Sequence, residues 1–109
     1  VPMPARKERR RGYNQAGLLA AALSRRLAIP CDMTLLVRRS DRATQASLPR
    51  RERAANVRDA FGATAGAQGK SILIVDDIST TGETFRACAA AIVAQRPARV
   101  CAVAVAKAV

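Results

Sequence analysis

Ile72-Leu73-Ile74-Val75-Asp76-Asp77-Ile78-Ser79-Thr80-Thr81-Gly82-Glu83-Thr84 is the stretch on which the fold turns. Ser71 to Val75 forms an uninterrupted apolar run of the kind a parallel strand buried on both faces needs. The character then changes at once, to two carboxylates followed by hydroxyls and a glycine. In open parallel sheets ligands sit beyond the carboxyl ends of strands, and the loop from Asp76 to Thr84 stands at such an end. Ser79, Thr80, Thr81 and Thr84 bring hydroxyl groups, and Gly82 lets the backbone turn tightly. Glu83 stands where the next helix opens, with N–H groups that lack intrahelical partners. The chemistry is that of a phosphate cradle. Charge-assisted hydrogen bonds are worth roughly 1.5–3 kcal/mol each, so a few of them hold a phosphate at micromolar affinity after ordering costs. A lone helix dipole, at about 0.3–1 kcal/mol, does not. Asp76 and Asp77 would repel a bare phosphate, so their natural partners are sugar hydroxyls and Mg²⁺.

Outward from this stretch, the following helix is expected from Thr81 or Glu83 to about Gln95, where Pro97 breaks it, and Val100 to Val105 gives a last strand. Upstream, Leu19, Leu23 and Leu27 recur every four positions, with Leu18 and Ala22 widening the stripe. This predicts a helix from Asn14 to Ala28, with Asn14 as N-cap and Arg25 and Arg26 at the end that favours cations. Pro30 stops it, and Met33 to Val37 predicts a short strand. Residues 38–56 have no apolar period and are dense in arginine, which predicts a flexible loop, with or without a short helix near Arg50 to Asn56. Val1-Pro2-Met3-Pro4 reads as the last residues of a strand, with part of the fold lying upstream, and leads into a basic turn from Arg6 to Arg11. Alternating strands and helices predict an α/β domain with a parallel sheet and right-handed crossovers.

Composition agrees and narrows the partners. The 109 residues suit one domain, 1–109, and the three aromatics, Tyr13, Phe61 and Phe85, are too few for an aromatic-rich sandwich. The net charge of +11 favours an anionic partner. Residues 1–60 hold fourteen Lys and Arg against five Asp and Glu, and residues 70–109 hold five against three, so the positive surface belongs to the first half. Cys31, Cys88 and Cys101 are widely spaced and histidine is absent, which supports neither a zinc site nor a disulfide framework and suits a reducing cytoplasm. No apolar run is long enough for membrane insertion.

The thirteen residues Ile72 to Thr84 closely resemble the phosphoribosyl-pyrophosphate motif of type I phosphoribosyltransferases along its whole length. The resemblance implies that fold, and it implies a Mg²⁺-dependent ligand, 5-phosphoribosyl-1-pyrophosphate or ribose 5-phosphate. Asp76 and Asp77, the candidate catalytic pair, would meet the ribose 2′- and 3′-hydroxyls, with Mg²⁺ held nearby through the ligand. Ser79, Thr80, Thr81, Gly82, Glu83 and Thr84 would wrap the 5′-phosphate. Val1-Pro2-Met3-Pro4, Arg11-Gly12-Tyr13-Asn14-Gln15, Thr44-Gln45, Arg50, Arg53 and Asn56-Val57 before Phe61 resemble the ComF/GntX group of competence-associated phosphoribosyltransferase-like proteins, over nearly the whole chain. That group usually carries an N-terminal zinc-binding segment with cysteine pairs, which this sequence lacks, so the zinc role does not transfer. The resemblance implies a pyrophosphate loop at Arg6, Lys7 and Arg11, and a flexible loop carrying Thr44, Gln45, Arg50, Arg53 and Asn56.

Two other motifs fail on spacing. Gly69-Lys70-Ser71 resembles the end of a nucleotide-binding P-loop, but the required earlier glycine is Thr64 and the triplet precedes its strand. A two-metal nuclease site at Asp76 and Asp77 would need further acids or histidines. Two functions remain open. One is transfer of a phosphoribosyl group to a nitrogen nucleophile of unknown identity. The other is a non-catalytic ligand-sensing or DNA-processing scaffold, with DNA-uptake proteins as partners and a basic face toward nucleic acid. Few aromatics are available to stack on bases, which disfavours direct single-strand binding. A homodimer is among the assemblies such a domain allows.

Overall fold

The computed structural model describes residues 1–3, 8–10, 12–39 and 60–108. The expected pyrophosphate residues Arg6, Lys7 and Arg11 lie outside that set, as do the flexible-loop residues Thr44, Gln45, Arg50, Arg53 and Asn56. The short helix expected near 50–56 lies outside it too.

Helix α1 spans Gln15–Leu27. Asn14, in an extended conformation, accepts from the Gly17 amide at 3.3 Å, as an N-cap should. Arg25 and Arg26 fall in the last turn, and Ala28 closes the helix in the left-handed region at φ 55°. The strand expected over residues 33–37 is shorter and later. β1 is Leu36–Arg38 and pairs antiparallel with β2, Phe61–Ala63, placing Arg38 opposite Phe61. The stretch expected to be loop from residue 38 therefore begins with a strand residue. A single 3₁₀ turn at Ala65–Ala67 leads into β3, Ser71–Ser79.

β3 pairs in parallel with β4, Arg99–Lys107, in a register that sets Ile74 opposite Ala102 and Asp76 opposite Ala104. Between them runs α2, Glu83–Val93, which starts where the sequence predicts and ends two residues before Gln95. The α/β class and the parallel sheet are thus present, although β1 and β2 form a separate antiparallel pair.

Strand periodicity sorts the core. Ile72 and Ile74 share one face of β3 and join a cluster with Ala87, Cys88 and Ile92 of α2, and with Leu35, Ala60, Phe61 and Ala67. Ile92 and Cys88 are fully buried, and burying one such aliphatic side chain is worth roughly 1.5–3 kcal/mol. Val75, on the other face, borders a cleft with Leu19 and Leu23 of α1. The helices therefore take opposite faces of β3. The expectation of a strand buried on both faces holds only at its centre, since Leu73 is 40% exposed and Ile78 54%.

Candidate functional site

β3 does not end with its apolar stretch at Val75. The strand continues to Ser79, so Asp76 and Asp77 lie within its carboxyl-terminal half and not on the loop expected from the change in composition. The ladder explains this, because Asp76, Ile78 and Ser79 still pair with Ala104, Ala106 and Lys107 of β4. The Ser79 carbonyl also accepts from the Ala108 amide at 2.9 Å.

Each carboxylate is braced by the next peptide. Asp76 Oδ1 accepts from the Asp77 amide at 2.9 Å, and Asp77 Oδ1 accepts from the Ile78 amide at 2.8 Å. The second oxygen of each stays available as an acceptor. Burial raises the Asp76 carboxyl above the usual range, and Asp77 adds to the rise, while the Asp77 amide draws it back down. Hydroxyl donors or a cation would relieve that cost, because both favour the charged form.

Past Ser79 the chain makes the expected tight turn. Gly82 sits at φ 83°, ψ 3°, a left-handed conformation that a side chain disfavours, and serves as the N-cap position of α2. Gly82 has no side chain with which to cap the helix, and Thr81 supplies one: its hydroxyl oxygen accepts from the Glu83 amide at 3.4 Å. From one turn into α2, Arg86 reaches back so that its Nη2 donates to the Thr81 carbonyl at 2.9 Å. A Cβ on Gly82 would stand 3.2 Å from Arg86 Nη1. Thr80, Thr81 and Glu83 are exposed, and Ser79, Gly82 and Thr84 are half-buried, so the turn faces outward and not into the core.

A cleft of about 260 Å³ brings Asp76, Asp77 and Thr84 together with residues 1–3, Asn14, Gln15, Ala16 and Arg38. Residues 1–3, expected to end a strand, form no regular strand, and the Val1 nitrogen donates to the Val75 carbonyl at 2.8 Å. Asn14 Nδ2 donates to the Val1 carbonyl at 3.5 Å. Arg38 crosses the Phe61 ring with its guanidinium carbon 5.0 Å from the centroid, which holds a cation at the cleft wall.

The cleft brings together the diacid and Thr84, which the sequence singled out, with Gln15 and Arg38, which it did not assign to the site, and Arg86 on the turn was likewise not foreseen. The helical offset from Gly82 to Arg86 was a usable signal. Gln15 stood only within the Arg11 to Gln15 stretch of the family resemblance, and Arg38 gave no signal, because its pairing with Phe61 is long-range. Cys88 is fully buried in the core, and burial pushes its thiol up to about 11. Cys31 and Cys101 are exposed, and none of the three cysteines is in a disulfide. Among the described residues no group of three or more His, Cys, Asp or Glu side chains is placed to hold a metal. The hard oxygens of Asp76 and Asp77 nonetheless suit Mg²⁺ bound mainly through a phosphate ligand, since this ion takes one or two carboxylates and keeps water or phosphate in its other positions. Among the described residues no helix is long and apolar enough to cross a membrane.

Comparison with known proteins fits this geometry. The phosphoribosyl transferase domain family matches residues 14–108, and the chain belongs to that family. Among its relatives is the DNA utilization protein YhgH of Escherichia coli K12, 42% identical over 84 residues, which cover 77% of this chain and 37% of the relative. The protein of the same name from Salmonella typhi is 39% identical over 84 residues, with the same shares of each chain. Competence protein F of Haemophilus influenzae is 37% identical over 88 residues, 78% of this chain and 38% of the relative. The match thus spans little more than a third of the length of these curated relatives. The resemblance to competence-associated phosphoribosyltransferase-like proteins is thereby established. No solved structure matches the chain significantly.

Proposed function

We propose that the cleft at the end of β3 binds 5-phosphoribosyl-1-pyrophosphate together with Mg²⁺, and that the domain derives from an enzyme transferring the phosphoribosyl group to a nitrogen nucleophile. One observation carries the reading: a single cleft joins two adjacent strand carboxylates to Thr84 of an outward-facing hydroxyl turn. Asp76 and Asp77 accept from the ribose 2′- and 3′-hydroxyls through their unbraced oxygens. The turn from Ser79 to Thr84 takes the 5′-phosphate with hydroxyls and with the first amides of α2. Asp76 and Asp77 are the residues that would stand beside a Mg²⁺ bound through the ligand, which would supply charge neutralisation to the pyrophosphate, the group that leaves C1′ with the bonding electrons as the nitrogen nucleophile bonds there.

The chain's own contribution to such a transfer is position and electrostatics. The diacid fixes the sugar and the turn fixes its far end, while Arg38, stacked on Phe61, brings a cation to the cleft lining. None of the described cleft residues is placed as a base for the incoming nucleophile, and Cys88 is buried with its proton retained. We therefore expect binding with slow turnover, or none, with common purine, pyrimidine and amine acceptors. The relatives' names speak of DNA utilization and competence, and this reading places a phosphoribosyl-binding domain in that setting.

The test is a calorimetric titration with phosphoribosyl pyrophosphate and Mg²⁺, beside an oligonucleotide titration at two salt concentrations. The proposal expects micromolar phosphoribosyl pyrophosphate binding that depends on Mg²⁺. Oligonucleotide binding that weakens steeply with salt, without phosphoribosyl pyrophosphate binding, would favour the scaffold reading in its place.

A further inference from the structure

Residues 1–3 form one wall of the cleft, yet they belong to no helix or strand that would hold them there. Val1 packs against the edge of the core, and two hydrogen bonds at its backbone bridge distant parts of the chain. The Val1 nitrogen donates to the Val75 carbonyl, and Val75 directly precedes Asp76. The Val1 carbonyl in turn accepts from Asn14 Nδ2. Asn14 Oδ1 is already committed to the Gly17 amide as the cap of α1, so one planar amide holds the helix start with its oxygen and the cleft wall with its nitrogen. Both bonds remain chemically possible if Val1 is preceded by further residues, since a peptide N–H donates as an amine does.

We propose that Asn14 is a positioning residue for this cleft, tying the start of α1 to residues 1–3 and, through Val1, to the strand residue before Asp76. Its amide sets the separation between the wall of residues 1–3 and the diacid. The consequence for a ligand rests on the phosphoribosyl reading above. A molecule that fills the cleft from the turn across the diacid to the wall feels this separation, whereas a small anion on the turn alone does not. A residue needed only as a helix cap would be replaceable by serine, since Ser caps about as well as Asn. A residue that also donates to Val1 would not.

The test uses two variants that keep the cap and lose the amide donor, Asn14→Ser and Asn14→Asp. Serine leaves the charge unchanged, and aspartate preserves the shape. Each is compared with the parent for thermal unfolding, for NMR contacts between the Val1 methyls and the core, and for affinity toward phosphoribosyl pyrophosphate with Mg²⁺ and toward inorganic phosphate. The expected result is a midpoint within a few degrees of the parent and loss of the Val1 contacts. Phosphoribosyl pyrophosphate affinity should fall about fivefold or more while phosphate affinity changes less than about twofold, because small misplacements of a binding wall are costly to a ligand that spans it. Retained Val1 contacts in both variants would overturn the proposal, and so would parallel weakening of both ligands, which marks a purely structural role. If the parent does not bind phosphoribosyl pyrophosphate, the functional reading fails by itself, and the Val1 contacts alone then decide whether Asn14 is the clamp.

Discussion

The turn after β3 and the cleft wall of residues 1–3 both adjoin Asp76 and Asp77, but they are held over very different lengths of chain. Ser79 is tied to β4, but past it the turn is closed by local bonds. Thr81 accepts from Glu83, two residues on, and Arg86 donates to Thr81 from five residues on. The wall is held by a bond from Val1 to Val75, 74 residues apart, and another from Asn14 to Val1, 13 apart. The turn therefore forms whenever β3 and the start of α2 form, while the wall exists only once α1 and β3 are packed together. Local structure sets the hydroxyl turn of the cleft, and tertiary structure sets the wall of residues 1–3.

Removing the acids that stand between the two regions should give the largest effect. Asp76→Asn together with Asp77→Asn should weaken phosphoribosyl pyrophosphate by roughly 100-fold, about two charge-assisted hydrogen bonds at the low end of their range. Inorganic phosphate on the turn should weaken less than about threefold, as calorimetric titration of both ligands would measure. Equal losses would mean that the pair only shapes the turn, and the division between the two regions would collapse.

A smaller effect tests the turn alone. Thr81→Val removes a hydroxyl that both caps Glu83 and faces the proposed phosphate. Ribose 5-phosphate affinity should fall about tenfold, and stability by about 0.5–1 kcal/mol, in line with a lost cap. Paired calorimetry and denaturant melts would show both. Because the turn is built locally, the Val1 contacts should stay intact in this variant, and their disturbance would break the comparison.

The smallest effect concerns pH. Burial raises the Asp76 carboxyl, so across the window from its ordinary value up to its raised one the folded protein binds more protons than the unfolded chain. Stability contributed at Asp76 thus falls as pH climbs through that window, and the cost persists at neutral pH. Asp76→Asn, which keeps an acceptor for the Asp77 amide, should remove the cost and stabilise the ligand-free protein at pH 7 by less than about 1 kcal/mol. The gain should vanish at pH 3, as urea melts at the two values would reveal. A variant less stable at pH 7 would show that the carboxylate is paired in the folded state and not merely buried.

The amino-acid order by itself determined what depends on neighbours in sequence. The four apolar residues Ile72 to Val75, the diacid, and the hydroxyl and glycine positions after it specified strand, turn and helix start, because an unbroken apolar run marks a buried parallel strand whatever its partner and the bonds of the turn close within about five residues. Asn14 as a cap and the span of α1 were legible for the same reason. Three features were decided elsewhere. β3 runs on through Asp77 because β4 pairs with it as far as Ser79, and a change from apolar to polar residues does not end a strand whose backbone still has a partner. Arg38 joined a strand instead of a loop because Phe61 lies opposite it. Asn14 became part of the cleft because its second hydrogen bond goes to Val1. In each case the deciding partner is a backbone or ring distant in sequence. Composition and periodicity do not record such a pairing, and only the packed chain brings it about.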